Sequence, residues 1–168
     1  PIHAVRVLNR DGSGSWTDII AGLEYVLDHP EIRVVNMSLG GGGTPDPNDE
    51  MAVAIERLEQ AGVHVIIAAG NSAANTNKFV PAGFNKGIVV SAYDVNGRGF
   101  ASFSNFGDAV DIAAPGVNIN STYPGDAYAR LDGTSMAAPH IAGVAAAFVR
   151  ENPNASPADF RSRLASTR

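Results

Sequence analysis

Val63-His64-Val65-Ile66-Ile67-Ala68-Ala69 is a run of strand length, apolar at every position but one, with Gly62 before it and Gly70 after it. A half-buried strand would alternate apolar and polar residues. This run does not alternate, so both of its faces are expected to be covered, the mark of a parallel sheet sandwiched between helices.

Outward from that run, the chain alternates strands and helices. Residues 4–8 and 34–39 read as two earlier strands. Between them Ser15, with Asp18 three positions on, opens a helix as a capping box. Ile19, Ile20, Leu23, Val26 and Leu27 share one face of that helix, and His29-Pro30 ends it. The glycines at 40–43, with Pro45 and Pro47, form a loop into a second helix, which Asp46 is expected to cap. Met51, Ile55 and Leu58 are its apolar stripe, and Gly62 falls where a left-handed cap belongs. Downstream come a polar loop over 71–78, a strand over 87–92 and shorter strands to Ile119. Pro124-Gly125-Asp126 reads as a hairpin turn. The stretch after Ser135 is apolar nearly all round and is expected to run through the core, and Ser156-Pro157-Ala158-Asp159 caps a more polar last helix. The fold class is α/β: one doubly wound, mostly parallel sheet with helices on both faces.

Composition agrees with one folded unit. The 168 residues are 45% hydrophobic and 17% charged, enough for a substantial core. A net charge of -5, with no concentrated basic stripe, argues against a nucleic-acid partner. The apolar stretches fall well short of the roughly 20 residues of a membrane span. There is no cysteine, which excludes disulfides and thiolate metal sites. The chain begins at Pro1 without a charged-then-apolar leader, so its start is expected to lie downstream of any targeting segment.

In doubly wound sheets ligands bind beyond the carboxyl ends of the strands. Gly40, Gly70 and Asn71 all follow strands at that end. Gly133-Thr134-Ser135-Met136-Ala137 adds a hydroxyl at the start of a helix, beside unpaired N–H groups and the positive end of the helix dipole. Taken alone, Gly-Thr-Ser before a helix also describes an ordinary N-cap. Likewise Asn71 alone describes a turn residue, and Ser38, Leu39, Gly40, Ala68, Ala69 and Gly70 describe strand ends with small residues for close packing.

Further blocks accompany these. They are Ala68-Ala69-Gly70-Asn71-Ser72, the run from Thr134 through Pro139-His140-Ile141-Ala142-Gly143, Val34-Val35-Asn36-Met37-Ser38-Leu39-Gly40-Gly41, Phe103-Ser104-Asn105-Phe106-Gly107 and Asp111-Ile112-Ala113-Ala114-Pro115-Gly116. Together, and in their order along the chain, they resemble the subtilisin-like serine proteases, most closely the proteinase K branch, over nearly the whole chain. The resemblance implies a serine endopeptidase acting on polypeptides and exported from the cell. Ser135 would be its nucleophile. Asn71, with the backbone N–H of Ser135, would bind the oxyanion. Ser38, Leu39 and Gly40, with Ala68, Ala69 and Gly70, would form the substrate pocket, roomy enough for an apolar or aromatic side chain. No cofactor is required by the chemistry, although the resemblance also implies a structural calcium ion at Asp111 with carbonyls near Asn85 and Gly87.

One departure matters. The family carries its triad in the order Asp, His, Ser, and its Asp and His blocks lie upstream of the segment that residues 4–8 match. Residues 1–168 are therefore expected to be the central and C-terminal part of such a catalytic domain, lacking the base. His140 follows Ser135 by five residues, a rotation of about 140° on a helix. It therefore faces elsewhere, and it is expected to be a packed core histidine. His3, His29 and His64 sit in no matching block. Without a base Ser135 is a weak nucleophile, and the exposed sheet is expected to associate with the missing segment or a second chain. The alternative is a non-catalytic peptide-binding or scaffold module that retained the cleft.

Two other chemistries are set aside. Asp46, Asp49 and Glu50 lack the EF-hand spacing, and Gly12-Ser13-Gly14 and the glycines at 40–43 do not give the dinucleotide-binding order Gly-x-Gly-x-x-Gly.

Overall fold

The computed structural model describes residues 1–97 and 99–166. The central run forms strand β3 (His64–Ala68), and every residue in it is buried. On one side it pairs in parallel with β1 (Val34–Met37), and on the other with β5 (Ile88–Asp94). β7 (Ile112–Pro115) then pairs in parallel with β5, giving the parallel order β1-β3-β5-β7. A short antiparallel strand, β6 (Gly99–Phe100), joins the end of β5.

Alternation along β3 divides the core in two. Val65 and Ile67 point to one face, where Ile19, Leu23 and Val26 of α1 (Trp16–Leu27) and Met51, Ile55 and Leu58 of α2 (Glu50–Gln60) cover them. Ile66 and Ala68 point to the other. There they meet Ala137, Ala138, Ile141 and Ala145 of α3 (Thr134–Glu151), and Phe160 and Leu164 of α4 (Pro157–Ala165). Helices on both faces of a mostly parallel sheet are the doubly wound α/β arrangement that the sequence implies.

Local signals account for several of the element ends. Ser15 caps α1 by accepting the Asp18 N–H, and Gly62 takes φ +82° just past α2. Ser156 and Asp159 form the capping box of α4. Pro124, Gly125 and Asp126 turn the hairpin of β8 (Ile119–Tyr123) and β9 (Ala127–Leu131).

The structure corrects four expectations. The N-cap of α2 is Asp49, which accepts the Met51 N–H, while Asp46 accepts from Asn48 in the preceding turn. Residues 4–8 pair with no strand among the described residues. Val5 and Val7 rest on α1 at Gly22, where an added Cβ would lie 2.7 Å from Val7. A cleft of about 740 Å³, lined by Val5, Val7, Val34, Val35, Met37 and Val149 among others, keeps them from the edge of β1. A strand needs a neighbour for its ladder, and here the nearest edge is across open space. For the same reason α3 is covered on one side only, and Val144 is 50% exposed. His140 lies on that uncovered side, exposed, with its Nδ1–H donating to Met136 O at 2.9 Å.

Candidate functional site

The carboxyl ends of β1 and β3 and the N-terminus of α3 meet around a cleft of about 570 Å³. Its lining includes Ser38, Leu39, Gly40, Ala68, Ala69, Gly70, Asn71 and Ser135, which sequence reasoning groups as one site. The antiparallel pair β2 (Gly41–Gly42) and β4 (Phe79–Val80) lies on the same side, and Trp16 approaches the spot a Cβ on Gly41 would occupy to 3.2 Å. Ala68 and Ala69 are buried, so they contribute floor and not projecting groups.

Thr134 fixes Asn71. Its backbone N–H and its hydroxyl both donate to Asn71 Oδ1, each at 2.8 Å, and the hydroxyl also accepts the Gly70 N–H at 3.0 Å. With the oxygen engaged twice, the amide orientation is set and Nδ2 is left as the outward donor. Nδ2 makes no hydrogen bond among the described residues, nor does the backbone N–H of Ser135, one of the orphan donors of a helix start. Both look onto the same place. A Cβ built on Gly133 would stand 3.4 Å from Asn71 Nδ2 and 3.7 Å from Ser135 N. Glycine at 133 therefore leaves open the space that the two donors share.

Ser135 is tied in two directions to Ser38, the residue that follows β1. Its Oγ donates to Ser38 O at 3.3 Å, while Ser38 Oγ donates to Ser135 O at 2.9 Å and accepts from Asn36 Nδ2 at 2.9 Å. A carbonyl accepts a hydrogen bond but does not take a proton at neutral pH. No imidazole bonds to Ser135 Oγ among the described residues. His29 donates to Tyr25 O, His140 to Met136 O, and His3 is exposed near the N-terminus. His64 is fully buried against Phe148 and Phe160, and burial holds its imidazole below the ordinary value, with the charge of Arg33 adding to that effect.

Asn105 supports the site without lining it. It is fully buried, donates through Nδ2 to Ala69 O at 2.9 Å and accepts from the N–H groups of Ser72 and Ala74. It packs so close to Gly70, which has φ +102°, that a Cβ there would be 2.3 Å from Nδ2. Asn105 lies in the block 103–107, and nothing near it in the sequence marks its role, because its partners are about 30 residues away.

Asp111 stands apart from the cleft. Its Oδ2 accepts the Val89 N–H at 2.9 Å, and Arg161 of α4 lies 3.6 Å from its Oδ1 while also donating to Gly87 O. No group of three or more His, Asp or Glu converges as a metal site among the described residues. No helix among them is long and apolar enough to cross a membrane.

The profile of the Subtilase family matches residues 1–168. M-protease of Shouchella clausii (strain KSM-K16) is 43% identical over 166 residues, covering 99% of this chain and 42% of the relative. Subtilisin Savinase of Lederbergia lenta is also 43% identical, over 99% of this chain and 60% of its own length. The crystal structure of a cold adapted subtilisin-like serine proteinase superposes with a TM-score of 0.86 at 38% identity, covering 94% of this chain and 56% of that one. The chain thus spans between about two-fifths and three-fifths of the length of these proteins.

Proposed function

The chain belongs to the Subtilase family, and from that membership we propose that it supplies the nucleophile and the oxyanion hole of a serine endopeptidase whose general base comes from outside these 168 residues. The observation that carries this reading is the pair of unengaged donors, Asn71 Nδ2 and Ser135 N–H, on either side of the space left open at Gly133. Donors fixed in advance around one point stabilise charge that develops there.

In the proposed reaction a peptide lies extended along residues 38–40, held by main-chain hydrogen bonds. Ser135 Oγ attacks the scissile carbonyl carbon as its proton passes to the base. The C–O bond forms, and the carbonyl oxygen becomes an anion between Asn71 Nδ2 and Ser135 N–H. Collapse breaks the C–N bond, the amine leaves with the proton, and water then releases the acyl group from Ser135. These steps require no cofactor. Small residues along Ser38, Leu39, Gly40, Ala68, Ala69 and Gly70 suit an apolar or aromatic side chain.

Among the described residues Ser135 Oγ meets a carbonyl and no imidazole, which supports a chain inert until joined by a base. We assign the apolar cleft beside β1 to the chain segment that brings the base, entering as a strand between residues 4–8 and β1. The whole catalytic domain then comprises residues 1–168 and that segment, acts outside the cell, and falls in the proteinase K branch on its sequence blocks.

The engagement of Ser135 with Ser38 also favours a second reading, a peptide-binding module without chemistry. Peptide hydrolysis by the chain combined with the base-bearing segment separates the two. Hydrolysis that Ser135→Ala abolishes, with peptide binding retained, supports the enzyme. No hydrolysis, and peptide binding indifferent to Ser135→Ala, supports the module.

A further inference from the structure

The calcium ion that family resemblance implies at Asp111 would need that carboxylate together with main-chain oxygens around Asn85 and Gly87. Ca²⁺ takes six to eight oxygen ligands at about 2.3–2.6 Å. Two of the oxygen groups it would use are already bound by one side chain. Arg161 donates to Gly87 O and stands 3.6 Å from Asp111 Oδ1, while the other carboxylate oxygen takes the Val89 N–H at 2.9 Å.

The arginine is held in place from both directions. Phe160 and Leu164, one before it and three after it on α4, are 1% and 7% exposed and pack into the core, and the capping box fixes the start of that helix. The carbonyl of Gly87 is equally fixed. This residue has φ +65°, and a Cβ on it would come within 2.8 Å of Val65 O, so the turn leaves no room for a side chain and presents its oxygen in one direction. The Asp111 side chain is 17% exposed and that of Arg161 35%, which leaves the pair partly sheltered from solvent.

We propose that Arg161 is a built-in cation that takes the place of calcium at Asp111 and Gly87, joining α4 to the start of β5 and to β7 without a metal. A guanidinium matches a carboxylate and a carbonyl with fixed N–H directions and cannot lose its charge at working pH. A calcium ion entering the same place would have to displace Arg161 from both oxygens, and the displaced guanidinium would remain beside a divalent charge of the same sign. The site therefore selects against the metal.

Thermal unfolding in EDTA and in millimolar CaCl₂, with calcium titration calorimetry, tests this on the whole chain. The chain itself is expected to bind no calcium that Asp111→Asn removes. Arg161→Gln is expected to lower Tm in EDTA by about 2–4 °C, the scale on which a domain of this size responds to a lost contact. Calcium should then restore Tm, and the double variant with Asp111→Asn should not recover. Arg161→Lys should retain most of the stability in EDTA. Calcium binding by the unaltered chain that Asp111→Asn abolishes would overturn the proposal, and that comparison stands even if Arg161→Gln does not fold. So would an Arg161→Gln chain that unfolds at the same temperature with and without calcium.

Discussion

Thr134 holds Asn71 by its only acceptor and leaves its only donor group for the cleft. In the active assembly, Asn71→Ala is expected to lower kcat by about 10²–10³, or about 2.7–4 kcal/mol, a figure measured in a subtilisin and so taken over from this family. KM should change little, because on the proposed reaction the lost bond forms only in the transition state. Thr134→Val keeps the backbone donor and removes the hydroxyl, so a loss of about tenfold in kcat is expected, with recovery in Thr134→Ser. Thr134 is a positioning residue, and equal activity in the valine and serine variants would contradict that role. Gly133→Ala places a methyl 3.4 Å from Nδ2 and 3.7 Å from Ser135 N, in the space the oxyanion would enter. It should lower kcat by at least about tenfold while the fold survives, as steady-state kinetics and circular dichroism would record.

Among the elements, β3 carries a fully buried polar side chain, that of His64. His64 faces Phe148 of α3 and Phe160 of α4, and neither ring nitrogen has a hydrogen-bond partner among the described residues. Arg33, bound to Pro153 O and Gly62 O, is the charge beside it. Burial disfavours the charged imidazole in the folded chain, which therefore takes up its proton at lower pH than the unfolded chain, where this happens as pH falls through about 6.5. Stability should therefore fall below that pH and be unaffected by His64 above it. Denaturant unfolding across pH 5–8 checks this: His64→Leu should flatten the acid side of the curve, and an unchanged slope would contradict the account. Elements were legible in the sequence where a local signal decides them. The continuous run of β3 forces a doubly covered strand, Ser15 and Ser156 carry their own caps, and Pro124 to Asp126 can only turn. Where two residues offer the same chemistry, as Asp46 and Asp49 do, loop geometry chooses, and sequence has no access to it. Residues whose partners are remote were less legible still. Asn105 and Arg161 act through contacts 36 and 74 residues away, and nothing near them in the chain announces it.

For the molecule as a whole, the consequential feature is the edge of β1. Val34, Val35 and Met37 border a cleft whose far side is formed by residues such as Val5 and Val7, which pair with no strand among the described residues. An unpaired edge beside apolar lining invites a strand. The chain by itself is expected to elute in size-exclusion above its 17.4 kDa mass and to shift to a defined complex when the base-bearing segment is added. A sharp monomer that unfolds cooperatively, and does not change on addition, would contradict this. Here the alternation in residues 4–8 reads as a strand and the structure forms none, because a strand exists only with its neighbour.

If Ser135 is a nucleophile waiting for a base, reaction with a fluorophosphonate reads it most directly. Only an activated serine reacts at an appreciable rate. With a segment carrying the family's Asp and His blocks added, peptide mapping should find Ser135 labelled, and the chain alone should remain unlabelled. Equal labelling with and without the segment, or none in either sample, would contradict the account.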